Sequence, residues 1–148
     1  MRVLIYLGMF VVMMMAFEVK AWDTFEEANV DVSPWLYDQE STITDWSDFS
    51  HIGNARNKVI IIKEKRLVSG KSTVAITQKL SNTSNTPYCV LTTLTHKVNA
   101  INTFLRNGKT IVGPSESKLI GGYRVDRSGK NWKVQWKFIA TKNLSRCN

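Results

Sequence analysis

Cysteine and histidine are scarce in this chain, which contains two residues of each. The two cysteines, Cys89 and Cys147, have no C-x-x-C spacing, and neither lies near the N-terminus. These absences exclude the usual dithiol redox motif and a bacterial lipoprotein anchor. In an oxidising compartment the simplest prediction is one disulfide between them, and two free thiols are the alternative.

Long apolar runs are also absent, except at the N-terminus. Arg2 precedes an uncharged, mostly apolar run over residues 3–17, and Val19 and Ala21 then occupy the −3 and −1 positions of a cleavage site. A membrane-spanning helix needs about 17–25 apolar residues, so this run is short for an anchor. We therefore predict a cleaved signal peptide over residues 1–21 and a secreted or periplasmic protein. An uncleaved N-terminal anchor is the alternative.

Basic residues are missing from one part of the mature chain, and acidic residues are rare in the other. Residues 22–50 contain eight acidic residues and no lysine or arginine. Residues 51–148 contain eighteen basic residues but only Glu64, Glu116 and Asp126 as acids, so the two parts have net charges of −8 and +15. Such asymmetry indicates an electrostatic role, either within the molecule or toward a partner.

The acidic segment, which we assign to residues 22–56, is too rich in aromatic residues for a plain disordered linker. The residues expected to make its contacts are Trp22, Phe25, Trp35, Tyr37, Trp46 and Phe49. Apart from a short helix predicted near residues 24–29, the segment lacks periodic order. It is expected either to pack on its own basic domain or to dock on another protein, and tethering within one chain favours the first.

Residues 57–148 have the pattern of a basic antiparallel β domain. Short β-branched or alternating runs are separated by turn signals every 8–12 residues or so. This predicts a mainly β protein with six or seven strands here, as a β-sandwich (immunoglobulin-like by strand count) or a small barrel. Residues 132–141 alternate most clearly, with aromatic side chains on one face and Lys133 and Lys137 on the other. Asn107-Gly108 predicts a two-residue hairpin.

Motifs for catalysis and cofactor binding are incomplete or missing. Residues 70–73 (GKST) match the end of a phosphate-binding loop, but Lys65 stands where that motif needs a glycine. Asp45, Asp48 and His51 do not have the spacing of a zinc or calcium loop. No G-x-S-x-G or paired-carboxylate signature is present. We predict no cofactor and no metal, and an enzyme, as a small secreted hydrolase, ranks third among the functions.

A group of basic residues supplies the best candidate for partner binding: Lys63, Lys65, Arg66, Lys130, Lys133 and Lys137. The first three end one predicted strand, and the last two line another. Such a field attracts an acidic protein or an anionic polymer, such as a glycan or an anionic lipid surface, and export disfavours nucleic acid in vivo.

Two hypotheses of function follow from these features. The first is an exported binding or assembly module that is not an enzyme, with the acidic arm as a tether or a cover. The second is a structural subunit of a surface or pilus-like assembly, which self-associates because the arm of one copy docks on the next.

Two segments match the N-glycosylation acceptor pattern, Asn82-Thr83-Ser84 and Asn143-Leu144-Ser145. The first lies in a predicted loop and the second near the end of the chain, where acceptors are expected. The pattern has meaning only if the source is a eukaryote, because in a bacterium both matches would be chance.

Overall fold

The computed structural model describes residues 22–53, 56–126 and 131–148. The predicted signal peptide and the candidate basic residue Lys130 lie outside these ranges. The described strands are β1 (Ser41–Ile43), β2 (Ser47–Gly53), β3 (Lys58–Ser69), β4 (Ser72–Asn82), β5 (Tyr88–Val98), β6 (Ala100–Phe104), β7 (Lys109–Val112), β8 (Ser117–Val125) and β9 (Lys133–Thr141). A helix, α1, spans residues 22–27, and short 3-10 turns occupy Ser33–Trp35, Leu105–Gly108 and Leu144–Cys147. No helix within the described ranges is long and apolar enough to cross a membrane.

Two antiparallel sheets form a sandwich. Sheet A has the strand order β1-β3-β4-β8-β6, and β2 also pairs with β3, because β1 and β2 lie beside successive parts of that long strand. Sheet B has the order β7-β5-β9. The fold class predicted from the sequence, a mainly β antiparallel sandwich, is therefore confirmed. The seven strands from β3 to β9 lie in the region where six or seven were predicted.

The main core lies between the inner faces of the two sheets. Sheet A contributes Ile60, Ile62 and Leu80, which meet Val90 and Val112 of sheet B. All five side chains are fully buried. Burying an aliphatic side chain of this size stabilises a protein by about 1.5–3 kcal/mol, so this cluster fixes how the sheets face each other.

Strand β3 is longer than its apolar run predicts. The sequence suggests that Lys63 and Lys65 end a short strand, whereas β3 continues to Ser69. The strand ends where Gly70 adopts a φ of +60° and turns the chain, so that Ser69 pairs with Ser72 of β4. A positive φ at this turn is accessible to glycine without steric cost.

The hairpin predicted at Asn107-Gly108 is wrong. Arg106, Asn107 and Gly108 do have positive φ values, of 53°, 53° and 75°. However, β6 pairs with β8 in sheet A, whereas β7 pairs with β5 in sheet B. The turn therefore passes the chain from one sheet to the other instead of joining two paired strands.

A second core lies on the outer face of sheet A, under the acidic segment. Phe25, Ala28 and Val30 pack there against Leu67 of β3 and Ala75 of β4. The backbone of sheet A comes close to this layer, because a Cβ atom added at Gly122 would lie only 2.8 Å from Val30 Cγ2. Residues of the acidic segment therefore cover part of the basic domain in the same chain.

Candidate binding surface

The outer face of sheet B is formed by side chains of β5, β7 and β9 that point away from the core. On β9 the odd-numbered residues from 133 to 139 are exposed and the even-numbered ones are half-buried, as alternation along a strand requires. The strand register extends this face sideways, because Lys137 pairs with Thr93 and Ile139 with Leu91. We call this surface the sheet B face, and it consists of Leu91, Thr93, His96, Lys109, Lys133, Gln135, Lys137 and Ile139.

The charge on the sheet B face has one sign. Strands β5, β7 and β9 together contain four lysines and no aspartate or glutamate. Lys133 and Lys137 are exposed, and among the described residues neither forms an ion pair. They lie about 13 Å apart along the strand, at about 3.3 Å per residue. Lys109 donates a hydrogen bond to the backbone oxygen of Asn148, at 3.1 Å.

The lysines of β3 lie on the opposite side of the sandwich, on the outer face of sheet A. Lys63 pairs with Lys79 of β4, and Lys65 is two residues further along the same face. The indole ring of Trp46 covers this group, with its centroid 4.2 Å from Lys79 Nζ and 5.4 Å from Lys65 Nζ. Asp48 lies 3.8 Å from Lys63 Nζ. The acidic segment therefore occupies this basic stripe.

The electrostatics of this stripe reflect its crowding. Partial burial lowers the pKa of Lys79, and the neighbouring positive charges of Lys63 and Lys65 lower it further. A cation over an indole face is stabilised by roughly 0.5–1 kcal/mol at an exposed site. Trp46 therefore relieves part of the repulsion among the three ammonium groups.

Arg66 belongs to neither basic surface, because it lies on the inner side of β3. Its guanidinium is 3.1 Å from the carboxylate of Glu64, whose side chain is only 1% exposed. The other carboxylate oxygen accepts a hydrogen bond from Gln78 Nε2 at 2.7 Å. Arg66 is thus the partner of a buried acid. A buried charge without such a partner would be strongly destabilising.

An aromatic cluster lies next to the buried carboxylate of Glu64. Tyr123 of β8 packs against Trp132 and Trp136, with ring centroids 5.5 and 5.3 Å away. Burial raises the pKa of the Tyr123 hydroxyl well above its ordinary value, and the negative charge of Glu64 raises it further. Trp136 Nε1 and Gln78 Oε1 are buried without a hydrogen-bond partner among the described residues.

The aromatic residues of the acidic segment differ in their surroundings. Phe25 is fully buried, and Trp22 and Trp35 are partly buried against the same cluster. Trp46 lies over the lysines of sheet A, as described above. Two rings remain free of the core, since Tyr37 is 91% exposed and Phe49 is 51% exposed.

Polar contacts also hold the acidic segment on sheet A. Asp38 accepts hydrogen bonds from Ser69 Oγ (2.6 Å), from the backbone N–H of Glu40 (2.9 Å) and from Ser41 Oγ (3.0 Å). The bond from Ser69, followed by the other two, lowers the pKa of the Asp38 carboxyl. The bond from Ser69 joins the segment to the end of β3, and the other two bonds lie within the segment.

Cys89 and Cys147 form a disulfide, with the sulfur atoms 2.05 Å apart. Cys89 is buried on β5, and Cys147 ends the 3-10 turn Leu144–Cys147. The bond joins the C-terminal turn to the middle strand of sheet B. Among the described residues, no three His, Cys, Asp or Glu side chains are grouped closely enough to hold a metal ion.

The structure thus separates the basic residues that the sequence groups together. Lys133 and Lys137 lie on the sheet B face, and Lys63 and Lys65 lie on the covered face of sheet A. Arg66 lies on the inner side of β3, where its partly exposed guanidinium pairs with the buried Glu64. Two further lysines belong to these surfaces, Lys109 to the sheet B face and Lys79 to the covered face of sheet A. Strand pairing places them there, so the sequence offered no direct signal for either.

Comparison of the chain with protein-family models, with curated proteins and with solved structures finds no match. We therefore infer function from the geometry of the described residues.

Proposed function

We propose that this protein is an exported binding module, without enzymatic activity, that holds an anionic partner on the sheet B face. The observation that carries the proposal is the charge of that face. Lys133 and Lys137 lie on β9 and Lys109 on β7, in a sheet whose three strands contain no carboxylate. The exposed side chains of Lys133 and Lys137 have no described acidic neighbour. The disulfide and the apolar N-terminal run support export.

The position of the acidic segment supports the same assignment. Its residues cover the outer face of sheet A, where Trp46 and Asp48 contact the lysines of β3 and β4. The same segment therefore does not cover Lys133 and Lys137 on the other side of the sandwich. In this proposal the segment acts as a cover for one basic surface and leaves the other free for a partner.

Heparin is a suitable probe for this proposal, because it is a polyanion and its binding is read directly from the salt needed for elution. The double substitution Lys133→Glu and Lys137→Glu changes the net charge of the sheet B face by −4. Exposed charge pairs contribute about 0.2–1 kcal/mol each, so four units of charge correspond to about 0.8–4 kcal/mol, or roughly 4- to 900-fold weaker binding.

The matched control makes the same charge change elsewhere. Lys58→Glu and Lys71→Glu together also change the net charge by −4. Both side chains are exposed, Lys58 at the start of β3 and Lys71 in the β3–β4 turn. We expect the control pair to bind nearly as the parent does, and the sheet B pair to bind much more weakly. Equal losses in the two variants would show a general charge effect and contradict a site on sheet B.

The second candidate is a structural subunit of a surface assembly, and the exposed rings of Tyr37 and Phe49 favour it. Because neither ring is packed in the core, each can contact another copy of the chain without any loss of core packing. If the second candidate holds, the mass measured by light scattering rises with protein concentration, and Tyr37→Ala with Phe49→Ala reduces that rise. A monomer mass at all concentrations supports the first candidate instead.

A further inference from the structure

The two N-glycosylation acceptor patterns share the same local geometry. In each, the serine two residues after the asparagine donates twice to the asparagine Oδ1. Ser84 donates to Asn82 at 2.9 Å from its backbone nitrogen and 2.7 Å from Oγ. Ser145 donates to Asn143 at 3.2 and 2.6 Å. Local conformation therefore does not distinguish the two sites. Any difference in their capacity to carry a glycan must come from the surroundings of the amide nitrogen.

Asn82 holds its amide nitrogen inside the protein. The residue is 2% exposed at the end of β4, and Nδ2 donates to the backbone oxygens of Thr86 (2.8 Å) and Val112 (3.2 Å). A glycosylated amide keeps only one N–H, so one of these two carbonyls would lose its donor. The sugar would also have to lie beside Val112, which is fully buried in the main core. A glycan at Asn82 is therefore incompatible with this fold.

Asn143 presents its amide nitrogen to solvent. The residue is exposed, follows the end of β9 and caps the 3-10 turn Leu144–Cys147 through its Oδ1. No described residue accepts a hydrogen bond from its Nδ2. A sugar on this atom would break none of the contacts that the structure shows.

We propose that Asn143, and not Asn82, carries an N-linked oligosaccharide when the chain is exported through a eukaryotic secretory pathway. The proposal rests on the export part of the proposed function. Nδ2 of Asn143 forms a bond to the anomeric carbon of an oligosaccharide carried on a lipid diphosphate. The lipid diphosphate leaves, and the amide loses one of its two protons.

The glycan would lie at one end of the candidate binding surface. Asn143 comes two residues after the end of β9, next to the disulfide that joins Cys147 to β5. Lys133 begins the same strand, about 26 Å from its end at about 3.3 Å per residue. The modification therefore leaves the Lys133 end of the sheet B face open to a partner.

The test is expression of the full chain, with its own N-terminal run, in a eukaryotic secretory cell line. We expect the secreted protein to carry one glycan, and enzymatic release of the glycan to convert Asn143 to aspartate in the peptide map. Ser145→Thr keeps the acceptor pattern and should retain the glycan, whereas Ser145→Ala should lose it. Ser84→Ala removes the other pattern and should leave the mass of the attached glycan unchanged.

The outcomes separate this inference from the proposed function. Secreted, disulfide-bonded protein with a glycan on Asn82, or without one on Asn143, would overturn the inference alone. A chain retained in the cytosol would contradict export and the modification together. Heparin binding by protein made in bacteria, which carries no such glycan, tests the sheet B face independently.

Discussion

Because Phe25 packs in the core, we expect the acidic segment to contribute to the free energy of unfolding. The substitution Phe25→Ala tests this. Phe25 is fully buried among Ala28, Val30, Leu67 and Ala75. Removing the ring loses about 2–3 kcal/mol of transfer free energy. A residual cavity of roughly 50 Å³ would add about 1 kcal/mol, at about 24 cal/mol per Å³. We therefore expect the free energy of unfolding to fall by about 3–4 kcal/mol.

The matched control is Phe49→Ala, in the same segment. Its ring is 51% exposed, so the substitution should cost less than about 1 kcal/mol. Urea unfolding measures both effects. With a slope of about 2 kcal/mol per M, the Phe25 variant should unfold at roughly 1.5–2 M lower urea than the parent.

Two probes make this experiment decisive. Tryptophan fluorescence reports on Trp22 and Trp35 in the segment, as well as on the β domain, and circular dichroism reports on the strands. If the segment is part of one cooperative unit, the two transitions coincide and their midpoint does not depend on protein concentration. Equal, small effects of Phe25→Ala and Phe49→Ala would refute the reasoning, because the segment would then contribute little to the folded state.

Two further predictions concern acid stability and the disulfide. The pKa of Asp38 is lowered in the folded state, chiefly by the hydrogen bond from Ser69. The stability that the ionised carboxylate contributes is therefore present above the unfolded value of about 3.9 and is lost as the pH falls through the lowered native value. Asp38→Asn should therefore flatten the loss of stability with falling pH in that window, measured as urea midpoints, and an unchanged acid limb would contradict this. Replacing Cys89 and Cys147 by serine opens a loop with a sequence separation of 58 residues and should cost about 4 kcal/mol. Thermal unfolding of this variant should match that of the reduced parent, and equal stability of the variant and the oxidised parent would contradict the prediction.

Strand β9 shows what the sequence could predict well. Its aromatic and lysine residues alternate over residues 132–141, and one exposed and one half-buried face follow directly from the two-residue period of a strand. The turn at Gly70 is also determined locally, because glycine adopts its φ of +60° without steric cost. In both places the deciding interaction is local, so neighbouring residues carry the information.

The hairpin at Asn107-Gly108 shows where local information ends. The residues favour positive φ, and the structure has it, but nothing nearby specifies which strand receives the chain afterwards. That choice depends on pairing of β6 with β8 and of β7 with β5, which lie in different sheets. The same limit applies to Asn82 and Asn143, whose local geometry is alike and whose burial differs.

The sequence of β3 alone indicates one part of the separation of the basic residues, whereas the other part depends on how the two sheets pack. Arg66 differs from Lys63 and Lys65 in parity along β3, so strand alternation alone places it on the other face, beside Glu64. By contrast, Lys133 and Lys63 both point outward from their sheets. Only the packing of sheet B against sheet A shows that they lie on opposite surfaces.

This separation determines how far the acidic segment weakens the field of the sheet B face. Packed sheets lie about 10 Å apart. The segment lies outside sheet A or, as β1 and β2, forms part of it, and Asp48 faces Lys63 on the outer side. The Debye length at physiological ionic strength is about 8 Å, so the spacing of the sheets already weakens the negative field at the sheet B face. The same segment lies directly against Lys63 and Lys79, where Asp48 and Trp46 are in contact range. A chain with net charges of −8 and +15 in its two parts thus neutralises one basic surface without neutralising the other. Under the proposed function, we therefore expect an anionic partner to be attracted to sheet B and turned away from sheet A, because the segment presents its own carboxylates there.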